Sequence, residues 1–193
     1  MEKVFSFIRN YWWIILVVVI IVLSAANTLL RGPKLVSVSP TPVSNQVARF
    51  GEILPGQASI DKVNELLGSP LKTTKTGEKV ALDYKTRNQY INHQVIAENN
   101  IVRLIKEAVI IGDDKNADTI KEIYGTVPEI LYEQAPYSVF NLYVYPGNGI
   151  AYLGHEDGTI LEIWYFEPTT LSDFIAKWAP NFAEKKFTGQ SKY

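Results

Sequence analysis

Two short stretches of the sequence align without gaps: residues 59–68 (SIDKVNELLG) and residues 116–125 (NADTIKEIYG). Each begins with a side chain that caps helices well, continues with an aspartate in the first turn, and ends in a glycine. Between these ends, apolar residues recur at the i, i+3 and i+4 spacing of one helix face. The sequence therefore predicts two matching short helices that end at Gly68 and Gly125 in left-handed positions.

Each predicted helix precedes three runs of β-branched and aromatic residues. These runs are residues 79–84, 94–97 and 101–109 in the first half, and 139–145, 150–154 and 159–166 in the second. Asn99-Asn100 and Asp157-Gly158 indicate tight turns between neighbouring strands. We expect an α+β fold with two helix-β-β-β repeats, which form one antiparallel sheet of about six strands with helices on one face. A C-terminal helix after residue 168 is expected to pack on this sheet.

An apolar segment near the N-terminus predicts a membrane anchor. Residues 12–23 (WWIILVVVIIVL) contain no polar side chain, and a transmembrane helix over residues 11–30 would match a hydrocarbon core of roughly 30 Å. A cleaved signal peptide is the alternative, because Lys3 and Arg9 precede the apolar run and residues 24–26 (SAA) resemble a cleavage site. Both alternatives place the following domain outside the cytoplasm, and the retained helix gives a single-pass protein with a cytoplasmic N-terminus.

The other boundaries follow from composition and from the repeat. Residues 1–10 form a short tail, 31–48 a Pro/Ser-rich tether, 49–111 the first repeat, 112–168 the second, and 169–193 the C-terminal helix and tail.

Composition excludes several classes of function. After Lys34 the chain contains 15 Lys and Arg and 19 Asp and Glu, which gives this part a net charge of 15 − 19 = −4. A nucleic-acid-binding domain normally carries a basic surface, so we expect no nucleic-acid partner. The chain contains no cysteine, which excludes disulfides, thiolate catalysis and cysteine-based zinc sites.

No motif in the sequence specifies a catalytic or metal site. Residues 114–118 (DKNAD) begin like a calcium loop, but Thr119 stands where that loop needs glycine and Gly125 where it needs a bidentate glutamate. His93 and His155 are the only histidines, too few for a zinc motif or a recognisable triad. We therefore expect no catalytic residue, metal or cofactor.

Two sets of side chains are candidates for function. Exposed tyrosine and tryptophan are enriched in protein interfaces, which makes the aromatics of the second half candidate partner-binding residues. These are Tyr143, Tyr145, Tyr152, Trp164 and Tyr165. The alternative is an envelope hydrolase or carbohydrate-active enzyme that uses paired carboxylates. Its candidate residues are Asp83, Glu98, Glu156 and Asp157.

Residues 53–70 (ILPGQASIDKVNELLGSP), 80–84 (VALDY) and 95–105 (VIAENNIVRLI) resemble the SmpA/OmlA (BamE-like) family. A tandem of such units is also similar to the β-lactamase inhibitor protein fold. This resemblance implies a domain that binds other proteins and has no catalytic activity. Lipoprotein members carry an N-terminal cysteine that is missing here, so the apolar helix would replace the lipid. The expected function is an extracytoplasmic binding or envelope-assembly module whose partners are the bilayer and another envelope protein.

Overall fold

Three α-helices and nine strands make up the part of the chain that the computed structural model describes, residues 46–88, 90–110, 112–135 and 138–186. The helices are α1 (Ile60–Leu67), α2 (Ala117–Tyr124) and α3 (Leu171–Trp178). Each begins after a capping side chain, Ser59, Asn116 or Thr170, which accepts the backbone N–H three residues later at 2.9 to 3.4 Å. The caps that the sequence predicts for α1 and α2 are therefore confirmed.

The strands form a single antiparallel sheet. They are β1 (Lys72–Thr76), β2 (Lys79–Lys85), β3 (Asn92–Glu98), β4 (Ile101–Ala108), β5 (Glu129–Glu133), β6 (Phe140–Tyr145), β7 (Ile150–His155), β8 (Ile160–Phe166) and β9 (Phe182–Ala183). Their order across the sheet is β1-β2-β3-β4-β8-β7-β6-β5-β9. Two four-stranded meanders thus meet at the central pair β4 and β8.

The predicted fold of helix-β-β-β repeats with about six strands is wrong. Helices α1 and α2 are each followed by four strands, and β9 is added at one edge. The sequence analysis missed β1, whose residues are all exposed, and β5, where only Leu131 is buried. Strands at or near a sheet edge are held by backbone pairing, so their side chains carry little of the alternation that marks a half-buried strand.

Helices cover both faces of the sheet, whereas the sequence predicted one face. On one face, Val63 of α1 and Ile120 of α2 belong to a buried cluster that also contains Ile105 and Tyr152. On the other face, the ring of Phe174 in α3 lies 4.5 Å from the ring of Phe166, centroid to centroid. The expectation that the last helix packs on the domain's own sheet is confirmed.

The predicted transmembrane helix at residues 11–30 lies outside the described residues. Among the residues that the structure describes, every α-helix is eight residues long, and none has the length and hydropathy needed to cross a bilayer. Of the predicted tether at residues 31–48, the structure describes 46–48. Ala48 is buried and donates its N–H to the carbonyl of Asn148 at 2.8 Å, so the packed domain includes this residue.

Candidate functional site

An open groove with a volume of about 770 Å³ lies at the end of the first half of the sheet. Its walls come from the β2–β3 hairpin, from the loop between β4 and α2, and from the end of α1. Its polar lining includes Thr86, Arg87, His93, Glu107, Asp113 and Lys115. Loops positioned by a rigid sheet commonly carry binding sites.

Glu107 is a buried carboxylate in this groove. Alternation along β4 places it on the same face as Ile105, which belongs to the helix-covered core. Its Oε2 accepts a hydrogen bond from the hydroxyl of Tyr165 at 2.9 Å, and its Oε1 pairs with the ammonium of Lys115. Burial, reinforced by the charge of Glu107, raises the pKa of Tyr165, so this hydroxyl remains a donor. A buried carboxylate needs such partners, because removing an ion from water costs several kcal/mol.

His93 is held as a neutral imidazole beside Glu107. Its Nδ1 accepts the backbone N–H of Ala108 at 3.2 Å, which requires the ring proton to be on Nε2. Burial lowers the pKa of His93, and the ring of Phe50 packs against it with 5.8 Å between centroids. The ring is therefore a structural acceptor at neutral pH.

Hydrogen bonds from their own side chains hold the two loops of the groove in shape. The hydroxyl of Thr86 lies 2.7 Å from the carbonyl oxygens of both Asn88 and Ile91, which fixes the hairpin. Asp113 accepts the N–H of Ile110 at 3.2 Å and pairs with Arg87 across the groove. At the tip of the hairpin, the side chain of Tyr90 is left in solvent, with 84% of the residue exposed.

The aromatics predicted to bind a partner are mostly inside the protein. Tyr145, Tyr152 and Tyr165 are buried on the face that α1 and α2 cover, and Trp164 is buried under α3. Tyr143 is half-buried and stacks on Tyr152, with 4.7 Å between ring centroids. Strand alternation does divide these residues between two faces, but helices cover both faces. They do not form an exposed contact surface.

The hydroxyl of Tyr145 shows how the buried tyrosines satisfy their polar atoms. It donates to the carbonyl of Gly125 at 2.8 Å, and this bond ties β6 to the end of α2. Burial raises the pKa of Tyr145 to about 12. In the first half, the hydroxyl of Tyr84 donates to the side chain of Asn64 in α1 at 2.8 Å. The two halves therefore each fasten a helix to their second strand through a tyrosine.

The carboxylates of the alternative enzymatic hypothesis do not converge. Asp83 and Glu98 lie four positions apart along the β2–β3 ladder, roughly 13 Å, which exceeds the limit of about 9.5 Å for a glycosidase pair. Glu156 and Asp157 are consecutive residues of the exposed β7–β8 turn, three strands from Asp83 and at the opposite end of the sheet from Glu98.

The segment that resembles a calcium loop caps a helix. Asn116 Oδ1 accepts from the N–H of Thr119 at 2.9 Å, and Asp118 pairs with Lys121 at 3.1 Å. In the described part of the chain, no three His, Asp or Glu side chains are grouped so that they could hold a metal ion. His155 accepts the N–H of Asp157 in its own turn, at 3.2 Å.

The sequence analysis missed Glu107, Lys115 and Tyr90. Glu107 stands two positions after Ile105, on the face of β4 that the core covers, and an ionisable residue at a core-facing position is the available signal. Its partner Tyr165 is 58 residues away in sequence, so no motif spacing joins them.

No protein-family model and no curated protein matches the sequence. Two solved structures are similar to part of the chain. One is a DUF4309 family protein (YjgB) from Bacillus subtilis, with 11% identity and a TM-score of 0.40, covering 58% of this chain and 81% of that one. The other is a cysteine-rich secretory protein from Staphylococcus aureus, with 8% identity and a TM-score of 0.42, covering 68% of this chain and 49% of that one. This chain therefore spans about half the length of the second protein. The resemblance to the SmpA/OmlA family stays a prediction.

Proposed function

We propose that this protein is a non-catalytic binding module of the cell envelope, which holds a segment of another envelope protein in the groove beside Glu107. The observation that carries the proposal is the groove itself. At about 770 Å³ it has the volume of a ligand site, and it is open to solvent.

The exposed end of the β2–β3 hairpin supports a protein partner. Tyr90 and Ile91 are large apolar side chains in solvent, on the hairpin that forms one wall of the groove. Tyrosine is enriched among the residues that dominate binding energy, because it buries a large rigid surface and keeps a polar end. Thr86 fixes this hairpin through hydrogen bonds, so little conformational entropy would be lost on binding.

The groove's titratable residues support binding in preference to catalysis. Nδ1 of His93 is engaged by a backbone N–H, and both carboxylate oxygens of Glu107 have partners. General acid–base catalysis needs such a group in reach of a substrate proton and free to exchange its own. Asp83 and Glu98 of the hydrolase alternative are too far apart, and Glu156 and Asp157 are neighbours in an exposed turn instead of facing one another across a cleft, so no second function is proposed.

The location belongs to the same proposal and is supported by the sequence. The apolar segment at residues 11–30 would attach the chain to the membrane, with the N-terminus in the cytoplasm and the domain outside it. A groove held near the membrane by a tether of residues 31–45 would meet other envelope proteins at a high effective concentration.

Site-specific photo-crosslinking in the native cell tests this function. We expect the photoreactive residue p-benzoylphenylalanine at position 90 to give a discrete crosslinked protein. The matched control is position 127, because Val127 is 87% exposed and Tyr90 84%, while Val127 lies in the second half between α2 and β5. The proposal fails if position 90 gives no product, or if position 127 gives the same one.

A further inference from the structure

The charges in the groove differ in how firmly the fold holds them. The two carboxylates are mostly buried, with 8% of the Glu107 side chain and 18% of the Asp113 side chain exposed. Their cations are less buried, with 40% of Lys115 and 76% of Arg87 exposed. Lys85 and Asp114, both exposed, also line the groove, so its cations and anions are equal in number. The negative charges of Glu107 and Asp113 are the more buried ones.

Lys115 is the more exposed of the two partners of Glu107. It comes from the loop before α2, and its flexible stem carries a strongly hydrated point charge. Tyr165, in contrast, belongs to the central strand β8 and lies in the core. Exchange of Lys115 for another cation would leave the Tyr165 hydrogen bond and the fold around Glu107 unchanged. The released ammonium would be solvated, which avoids an unpaired buried charge.

We propose that the groove receives an arginine side chain of the partner protein, whose guanidinium displaces Lys115 and pairs with Glu107. This inference rests on the proposed function and names the chemistry of its partner. A guanidinium is planar, loses less hydration than an ammonium, and presents several donors in a fixed geometry. A second carboxylate, Asp113, lines the same groove, where it pairs with the exposed Arg87.

The exposed hairpin fits the same ligand. Arginine packs its apolar stem and the face of its guanidinium on aromatic rings, and Tyr90 is the solvent-exposed ring of the hairpin that bounds the groove. An arginine side chain thus offers a positive charge to Glu107 and an apolar surface to Tyr90.

A pair of tripeptides tests the proposal with the full chain. The first is acetyl-Ala-Arg-Ala-amide, and the second carries citrulline, which has the shape of arginine without its charge. Binding is followed by the NMR shifts of the backbone amides of Ala108 and Gly112, with Gly147 as a distant reference. We expect the arginine peptide to shift the first two amides and the citrulline peptide to leave them unchanged.

Two variants separate the proposed ion pair from general attraction. Glu107→Gln keeps the shape and an acceptor for Tyr165, and it should abolish binding. Lys115→Gln removes the competing cation and keeps a donor, and it should bind the arginine peptide about tenfold more tightly, which corresponds to about 1.4 kcal/mol. Thermal unfolding of both variants verifies that they are folded.

Three results would overturn the inference: equal binding of the two peptides, unchanged binding by Glu107→Gln, or no gain in Lys115→Gln. If one of these occurs while position 90 still crosslinks a protein, the arginine assignment is wrong and the binding function stands. Loss of the crosslink at position 90 instead removes the function on which the assignment rests.

Discussion

The two four-stranded halves of the sheet share one pairing pattern and fill it with different side chains. Superimposing the registers matches positions of the first half with positions of the second, and the helix-covered face shows the contrast. The matched pairs are Leu82 with Tyr143, Tyr84 with Tyr145, His93 with Ile150, Val95 with Tyr152, Ile105 with Ile163, and Glu107 with Tyr165. The first half holds a histidine and a glutamate, whereas the second half holds three further tyrosines and one further isoleucine.

The central strands show that this match is a two-fold relation. Across β4 and β8, Ile105 pairs with Tyr165, and Glu107 pairs with Ile163. Because Ile105 matches Ile163 and Glu107 matches Tyr165, exchanging the two halves turns the first pair into the second. Lys106 and Trp164 pair with each other at the two-fold axis that relates the halves. The Lys106 ammonium lies 3.8 Å from the centre of the Trp164 ring. Glu107 and Tyr165 are thus equivalent positions that bond to one another. A polar groove and an aromatic core follow from a few substitutions on one backbone pattern.

The largest expected effect on stability comes from replacing Tyr152 of the second half with valine, the residue at its matched position, Val95, in the first half. Tyr152→Val removes a buried ring that stacks on Tyr143, so the free energy of unfolding should fall by about 2–4 kcal/mol. Urea unfolding measures this change. The controls are Ile105→Val and Ile163→Val, because these matched positions are both buried isoleucines. Each control should cost about 0.5–1.5 kcal/mol. If Tyr152→Val costs no more than they do, the aromatic core does not stabilise the second half.

Six of the nine described strands could be predicted from the sequence, and those that were missed have a common physical cause. Strands β2, β3, β4, β6, β7 and β8 bury side chains on a covered face, which gives them apolar runs. Strand β1 reads KTTKT, because an edge strand with lysine and threonine resists pairing with other chains. Strand β1 forms because the backbone of β2 is available for pairing. The residue pattern within β1 itself does not predict that pairing.

The candidate site was less predictable than the fold. Its elements, the β2–β3 hairpin, the loop between β4 and α2 and the end of α1, are distant in sequence and meet only in the folded domain. The sequence analysis recognised Asn116 as a helix cap but could not bring the neighbouring Lys115 to Glu107, since that contact depends on where α2 begins in space. The aromatics of the second half were visible in the sequence, whereas the helices that cover them on both faces follow from the tertiary packing.

The helix-ending glycines should respond alike if the halves are equivalent. Gly68 has φ +81° and ψ −162°, and Gly125 has φ +112° and ψ 159°, an extended region that is essentially restricted to glycine. The sequence predicted a left-handed helical position, and the observed one needs glycine more strongly. Apart from the neighbouring residues along the chain, nothing lies within 4 Å of a Cβ built at either position, so the expected cost is backbone strain.

We therefore expect Gly68→Ala and Gly125→Ala each to lower the free energy of unfolding by about 1–3 kcal/mol, measured by urea unfolding. Gly147→Ala is the control, because that position has open space around its Cβ and no left-handed φ. It should change stability by less than about 1 kcal/mol. A silent change at Gly125 with a large one at Gly68 would contradict the equivalence of the two halves.

The smallest expected effect is the pH dependence that His93 gives to the first half, since its matched residue in the second half, Ile150, cannot titrate. Burial lowers the pKa of His93 in the folded protein below its ordinary value of 6.5. The unfolded chain therefore binds more protons than the folded chain between the two pKa values, and stability rises with pH across that window. The contribution of His93 is fully present above about pH 6.5 and is lost as the pH falls through the folded pKa.

His93→Asn separates this titration from the hydrogen bond. The asparagine Oδ1 can accept the N–H of Ala108 as Nδ1 does, so the variant should keep much of its stability at pH 7.5 and lose less than the native protein on acidification. His93→Gln is the geometric control, because its acceptor lies one bond farther out and leaves the Ala108 N–H unsatisfied. It should be less stable at every pH, by about 1–3 kcal/mol for the lost partner. Urea unfolding from pH 7.5 to pH 5 measures both. Parallel curves for His93→Asn and the native protein would show that His93 is not the group whose protonation weakens the first half.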